Sequence, residues 1–254
     1  MTGFLLLIVV AFSAVAQNTY YVDPQGSDNN SGRTPGAAWA TVRRVNGTSY
    51  GAGDQVLFRS GCVWREQLTV TSSGEAGRPL VFSSYGTGDR PCFEALDDLA
   101  GWQNPGGWSD EGGNIWAFHT QRHPGRLWLS NTEYPVSGSG AGGSSTPDPV
   151  NRWYDNGNGT LLVYCEANPA TVYTSIRVAD AGRGALVASN VSNVTFRNLA
   201  FTGGNTCAYL SGARYLTIDS CVIGPGVSRY ALMATNASDH GLMRASRIDR
   251  LDPV

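Results

Sequence analysis

At 254 residues, of which 41% are hydrophobic and only 15% charged, the chain is long enough for one large solenoid or two small domains. Its net charge is −2 and all 18 basic residues are Arg, so it lacks the basic stripe of a nucleic-acid binder, and no mechanism within these residues can use a Lys base. The 32 Gly, 11 Tyr and 7 Trp describe a turn-rich β-protein suited to polar or sugar-like surfaces.

Residues 1–16 read as a secretory signal peptide. The apolar run 4–12 is too short to span a membrane, and Ala14-Val15-Ala16 is a small-x-small cleavage site, although no Arg or Lys precedes the run. A secreted protein, extracellular or periplasmic, with no membrane span in the mature chain, is therefore expected. Export permits disulfides among the 5 Cys, an odd number that leaves at least one unpaired. Cys62 and Cys92 both flank strand-like runs and can pair. Residues 17–93 predict an N-terminal cap and the first coils. Tyr20 and Val22 begin a strand, a turn-rich stretch follows, and residues 39–45 suggest a short amphipathic helix. Three short strands come next, in GDQVLFRSGCVW, EQLTVTSS and RPLVFSSYG. Asp23, Asp28 and Asn30 offer oxygens that calcium would use, but no EF-hand spacing supports it, and turn capping is the competing account. No cofactor is expected.

Residues 94–180 differ in texture and predict an inserted antiparallel β-module. They hold Trp102, Trp108, Trp116, Trp128 and Trp153, a Ser/Gly tract over 137–149, and RWYDNGNGTLLVYCE, in which Asn-Gly between apolar runs signals a hairpin. Each Trp can either fill the module's core or stack on a sugar ring; Trp108, in NPGGWSDEGG, is the expected sugar-facing exception. His119 and His123 stand four apart, but Pro124 and the strand pattern argue against one helical face that would make them metal ligands.

Residues 181–254 repeat themselves. Copies starting at Ala185, Ala208 and Ala231 give an even 23-residue period, the mark of a solenoid. Aligned, they place Phe196, Ile218 and Met243 in one interior column, Leu199, Cys221 and Ser246 in a second, and Phe201, Ile223 and Ile248 in a third. Side chains alternate along a strand, so Arg197, Asp219 and Arg244 should form a ladder on the outside, with Arg247 and Asp249 beside it. The third copy stops without a terminal cap, so further coils are expected beyond Val254.

The segments NVTFRNLAFTGG and YLTIDSCVIGPG, with the Val-Asp-x-x-Gly-Ser-Asp turn of the N-terminal stretch, resemble the right-handed parallel β-helix proteins of the pectate-lyase-like superfamily. That resemblance implies an all-β right-handed solenoid, a capping helix, an inserted β-module beside a sugar groove as in several β-helix glycosidases, a polysaccharide partner, and catalytic residues in the coils expected beyond Val254. The same architecture hosts lyases, hydrolases, epimerases and adhesins.

Candidate chemistry centres on the ladder. A lyase or epimerase acting on uronates must neutralise the sugar carboxylate and remove the C5 proton, which asks for Arg or a metal plus a base. A hydrolase needs two carboxylates, and Asp219 and Asp249 are the only aligned acids. The candidate catalytic residues are thus Asp219, Arg244, Arg197 and His240, with Trp108, Arg247, Asp249 and Tyr230 as candidate substrate contacts. Asp239 and His240 are neighbours that should point apart in an extended chain. The competing account of the ladder is charge relief between coils, worth about 0–1 kcal/mol per exposed pair. A polysaccharide lyase, epimerase or glycoside hydrolase is the leading expectation, a non-catalytic glycan-binding, adhesion or structural surface module the alternative, and a monomer the expected state.

Overall fold

The computed structural model describes residues 17–130, 132–134, 146–150, 152–180, 184–204, 206–224, 230–236 and 238–248. The expected leader, most of the Ser/Gly tract and Asp249 lie outside them. The protein is nearly all β. It opens with β1 (Thr19–Val22), a short helix α1 (Val42–Asn46), and strands β2 (Gln55–Arg59), β3 (Val63–Trp64), β4 (Leu68–Val70), β5 (Leu80–Tyr85) and β6 (Cys92–Ala95). Next come β7 (Asp97–Asp98), β8 (Trp108–Gly112), β9 (Ile115–His119), β10 (Pro124–Leu129), β11 (Thr132–Tyr134), β12 (Trp153–Asp155) and β13 (Thr160–Tyr164), then α2 (Pro169–Val172) and β14 (Ile176–Asp180). The chain continues through β15 (Leu186–Ser189), β16 (Val194–Arg197), β17 (Ala200–Gly203), β18 (Thr206–Ser211), β19 (Thr217–Asp219), β20 (Val222–Ile223), β21 (Tyr230–Thr235), β22 (Leu242–Arg244) and β23 (Arg247–Ile248).

Strands β2–β6 and β15–β23 visit three parallel sheets in strict rotation. One sheet runs β1-β2-β5-β16-β19-β22, the next β3-β6-β17-β20-β23, the third β4-β15-β18-β21. Each third strand therefore returns beside its predecessor, which is how strands of two to six residues, too short to bury a core alone, do so by stacking. Alternation sends Phe82, Phe196 and Ile218 inward at successive levels, and Phe93, Phe201 and Ile223 likewise. Phe82 stacks on Phe196 at 5.6 Å and Phe93 on Phe201 at 5.2 Å, each 19° from parallel.

The corners explain how so short a coil turns. Asn190, Gly212 and Asn236 occupy one corner column, Asn193, Tyr215 and His240 a second, and Asn198, Ser220 and Ala245 a third, all with φ between 46° and 60°. A single left-handed residue bends the chain sharply from one sheet toward the next, and Asn accepts that conformation at least cost among residues with a side chain. Coil length is not constant. Arg197 and Asp219 are 22 residues apart and Asp219 and Arg244 are 25 apart, so the coils do not keep the even 23-residue period of the sequence. In the third sheet Leu186 pairs with Ala208 and Ala208 with Leu232, one residue out of register with the alignment on Ala185 and Ala231. The expected interior residues Met243 and Ile248 are 37% and 45% exposed, because β22 and β23 are edge strands among the described residues.

At the other end, Tyr20, Trp39, Val42 and Val45 close the core. The Asp28 carboxylate accepts bonds from the Ala40 and Thr41 amides and the Thr41 hydroxyl, and Asn30 donates to the Ala38 carbonyl, both as turn caps. Asp23 likewise accepts from the Gln25 amide and, at 2.6 Å, from Arg59. Thr41 caps α1, and Glu66, from the following coil, accepts from the Val42 and Arg43 amides.

Strands β7–β14 pair only among themselves, as two four-stranded antiparallel sheets, β11-β10-β14-β7 and β12-β13-β9-β8. The expected hairpin is β12–β13. Between these sheets lies a second core that contains Trp102, Trp108 and Trp153, while Trp128 packs with Leu96 and Ala179 in a smaller cluster. Across the seam to the coils, Glu94 bonds Arg177 at 3.0 Å and Arg65 at 3.2 Å, and Arg65 also bonds Asp98 at 3.0 Å.

Cys62, Cys92, Cys165, Cys207 and Cys221 are all free thiols. The expected Cys62–Cys92 bridge is absent: their backbones meet, Cys92 donating to the Cys62 carbonyl, but the Cys92 thiol turns to the Thr202 hydroxyl. None of the described helices is long and apolar enough to cross a membrane.

Candidate functional site

The ladder forms as its alternation requires. Arg197 pairs with Asp219 and Asp219 with Arg244 on β16, β19 and β22, all three facing outward. One Asp219 oxygen accepts from both guanidiniums, Arg197 Nε at 3.2 Å and an Arg244 terminal nitrogen at 2.9 Å, while the other accepts from the Ser220 hydroxyl at 3.1 Å. The Arg244 bond, foremost, holds this carboxyl below its ordinary value of 3.8. Asp219 is therefore ionised at neutral pH with both oxygens engaged, a poor general acid and a poor general base. The two Arg side chains remain 50% and 55% exposed, so donors not spent on Asp219 face solvent. Arg90, which sequence reasoning passed over, joins them: its Nε donates to the Ser220 carbonyl at 2.8 Å. It lies in the loop before β6, outside any repeat, so no alignment could flag it. Two guanidiniums thus share one carboxylate oxygen, and a third is bound to the backbone of the next residue.

The other candidates lie elsewhere. Arg247 pairs with Val222 in the adjacent sheet, around the corner from the ladder, and Tyr230 begins β21 in the third sheet. Asp249 is outside the described residues. Trp108 is 6% exposed, with its indole N–H donating to the Trp102 carbonyl, so it is core rather than a sugar platform. Trp102, Trp128 and Trp153 are buried too, and Trp116 packs partly buried against the insert core.

His240 is four residues from Arg244, on the order of 13 Å along an extended strand, so it stands at the opposite end of the same sheet. Contrary to the expectation of divergent side chains, its Nδ1 lies 3.2 Å from Asp239 Oδ1. The reason is backbone: at φ 51° His240 is left-handed rather than extended, which swings its side chain toward its neighbour. Its ring stacks on Tyr215 at 4.7 Å, and Arg214 reaches the same Asp239 oxygen at 3.6 Å.

On the insert, His119 and His123 do line one cavity of about 350 Å³, with Gln121 and Asn158. Both Nδ1 atoms are engaged, His123 with Asp155 at 3.2 Å and His119 with the Thr160 hydroxyl at 3.1 Å. Among the described residues no three His, Cys, Asp or Glu side chains gather as metal ligands.

No protein-family model matches the sequence, and no curated protein matches it. Solved structures do. A glycoside hydrolase superposes with a TM-score of 0.52 at 12% identity, over 83% of this chain and 62% of its own. The GH136 lacto-N-biosidase of Eubacterium ramulus superposes with a TM-score of 0.50 at 15% identity, over 92% of this chain and 34% of its own. The likeness is one of fold. This chain spans only about a third of the lacto-N-biosidase's length.

Proposed function

We propose that the chain belongs to a secreted, polysaccharide-active protein whose coils wind as a right-handed parallel β-helix, and that the outer face carrying the ladder receives an acidic glycan. The right-handed winding is supported by the near-universal hand of parallel crossovers, and a carbohydrate partner by the two hydrolases of similar fold. The observation that carries the reading is the excess of guanidinium over carboxylate around Asp219. Arg197 and Arg244 have the planar donor geometry that suits a sugar carboxylate, and Asp219 holds both through one oxygen, with Arg90 anchored on the neighbouring Ser220 carbonyl. In this reading Asp219 is a positioning residue. His240, oriented by Asp239, is the side chain on this sheet suited to moving a proton, on a sugar unit remote from the ladder. Lyase, epimerase or hydrolase action is proposed for the whole protein.

The second reading, glycan binding without cleavage, is favoured by the engagement of both Asp219 oxygens, which leaves the ladder without a working acid or base. Calorimetric titration with oligogalacturonate and alginate oligomers tests the binding claim. Arg197→Gln/Arg244→Gln should weaken binding at least about tenfold, and unchanged affinity or no binding by the natural chain refutes the reading. Incubation with pectate and alginate, following unsaturated-product absorbance and reducing ends together, separates the two: products of either kind mean catalysis, and binding without products means a recognition module.

A further inference from the structure

The corner column of Asn190, Gly212 and Asn236 is a ladder with its middle rung missing. The three residues share one left-handed conformation at successive levels, with φ 54°, 60° and 53°. The chain passes from each to the next by the same bonds, the Asn190 amide donating to the Ser211 carbonyl and the Gly212 amide to the Thr235 carbonyl. Two levels project a carboxamide and the middle one projects nothing. A Cβ on Gly212 would lie 2.6 Å from Asn190 Oδ1, so the absent side chain is what lets the Asn190 carboxamide lie across the middle level, and any side chain there must displace it. At this corner lies a concave site of about 370 Å³, bounded by Asn190, Val191, Ser192, Gly212, Arg214 and Asn236. That volume is at the lower end for small-ligand sites, the scale of a single sugar ring.

We infer that this groove is a second saccharide subsite, one that takes a neutral unit through its hydroxyls. Carboxamides both donate and accept, which suits neighbouring hydroxyls that do the same. Asn236 spends its N–H on the Ser211 hydroxyl at 2.7 Å and keeps its carbonyl oxygen as acceptor. Arg214 adds donors, and Asp239, 3.6 Å from its Nε, offsets its charge, so the groove lacks the cationic excess of the ladder. Tyr215, next in the chain and 52% exposed, presents an aromatic surface backed by the His240 ring. Arg214 lies just across the Tyr215 corner from β19, five residues from Asp219 and so at most about 16 Å away along the chain, and one glycan can meet both sites. The inference rests on the glycan reading above.

Gly212→Asn is the decisive variant. It supplies the missing rung with a residue that tolerates left-handed backbone and already occupies both neighbouring levels, and the atom it meets is the movable end of Asn190. Calorimetry on the full chain would use tetrasaccharides of xylose, mannose, glucose and galactose as neutral probes and oligogalacturonate as the acidic one. At least one neutral probe should bind, and Gly212→Asn should weaken it about tenfold or more with an unchanged melting temperature and unchanged oligogalacturonate binding. Asn236→Ala, which removes a rung instead of adding one, should weaken the same probe. If no neutral probe binds at millimolar concentration, or if Gly212→Asn binds it as the natural chain does, the inference is overturned. Oligogalacturonate binding that still depends on Arg197 and Arg244 would then leave the ladder reading intact; neutral binding without acidic binding would leave only the groove.

Discussion

Replacing Phe196 by Ala removes a ring from the centre of the coil core. Phe196 is fully buried, stacked on Phe82 at 5.6 Å and set edge-on to Phe201 at 6.2 Å. A Phe→Ala change in a core costs about 3–5 kcal/mol, the larger values arising where neighbours cannot collapse into the gap. Here Phe82 and Ile218 sit on strands fixed to β16 on either side, so collapse is opposed and ~4 kcal/mol is the working value. For a chain of this size each kcal/mol moves the melting temperature by about 2–4 °C, which gives a fall of roughly 8–16 °C. Because each coil touches only its neighbours, hydrogen exchange should show the loss concentrated in β5, β16 and β19 while the insert hairpin β12–β13 keeps its protection. A double-mutant cycle with Phe82→Ala should return a coupling of about 0.5–1.5 kcal/mol for the stacked pair. A melting temperature within about 2 °C of the natural chain, or protection lost evenly across coils and insert, would refute the stacked-column account.

Gly74→Ala should destabilise by about 3 kcal/mol in urea denaturation, since its Cβ would collide with the Asn193 carbonyl oxygen and Leu80 amide nitrogen, both backbone atoms; Gly36→Ala, with open space around it, is the matched control and should be neutral or slightly stabilising. Asp219→Asn should flatten the acid limb of stability. The carboxyl is held below 3.8 chiefly by Arg244, so its contribution is full above that unfolded value and disappears as pH falls through the lower folded one. Urea midpoints measured from neutral pH down through this region should fall less steeply for Asp219→Asn than for the natural chain, and parallel curves would show the ladder to be energetically silent.

The ladder and the columns headed by Phe196 and Phe201 were legible because both follow from strict alternation within a strand, where position fixes direction, and Leu199 and Cys221, just outside strands, are buried as expected too. Corners obey no such rule. A left-handed residue redirects the next side chain, so the Asp239–His240 contact was hidden from a reading that assumed extended chain, and the variable corner lengths shifted the third sheet by one residue. That slip concealed the alignment of Asn190, Gly212 and Asn236. The insert hairpin announced itself through Asn-Gly, but nothing local distinguishes a buried Trp from an exposed one; Trp108 sits among glycines and is nonetheless buried, its indole satisfied by the Trp102 carbonyl. Cys62 and Cys92 lie on adjacent levels as their flanking strands suggested, yet adjacency of backbone does not orient two thiols toward each other.

The seam between coils and insert has a mechanical consequence. The insert is tethered by two chain crossings, out of β6 and into β15, and pinned between them by charged pairs of unequal shelter. Glu94 and Arg177 are each only 16% exposed, whereas Arg65 and Asp98 are 50% and 54% exposed. Ions reach the outer pair and screen it, but the inner pair is largely shielded from them. Rising ionic strength should therefore loosen the rim of the joint while leaving its pivot fastened, so that the insert rocks through a small arc before it can ever swing free.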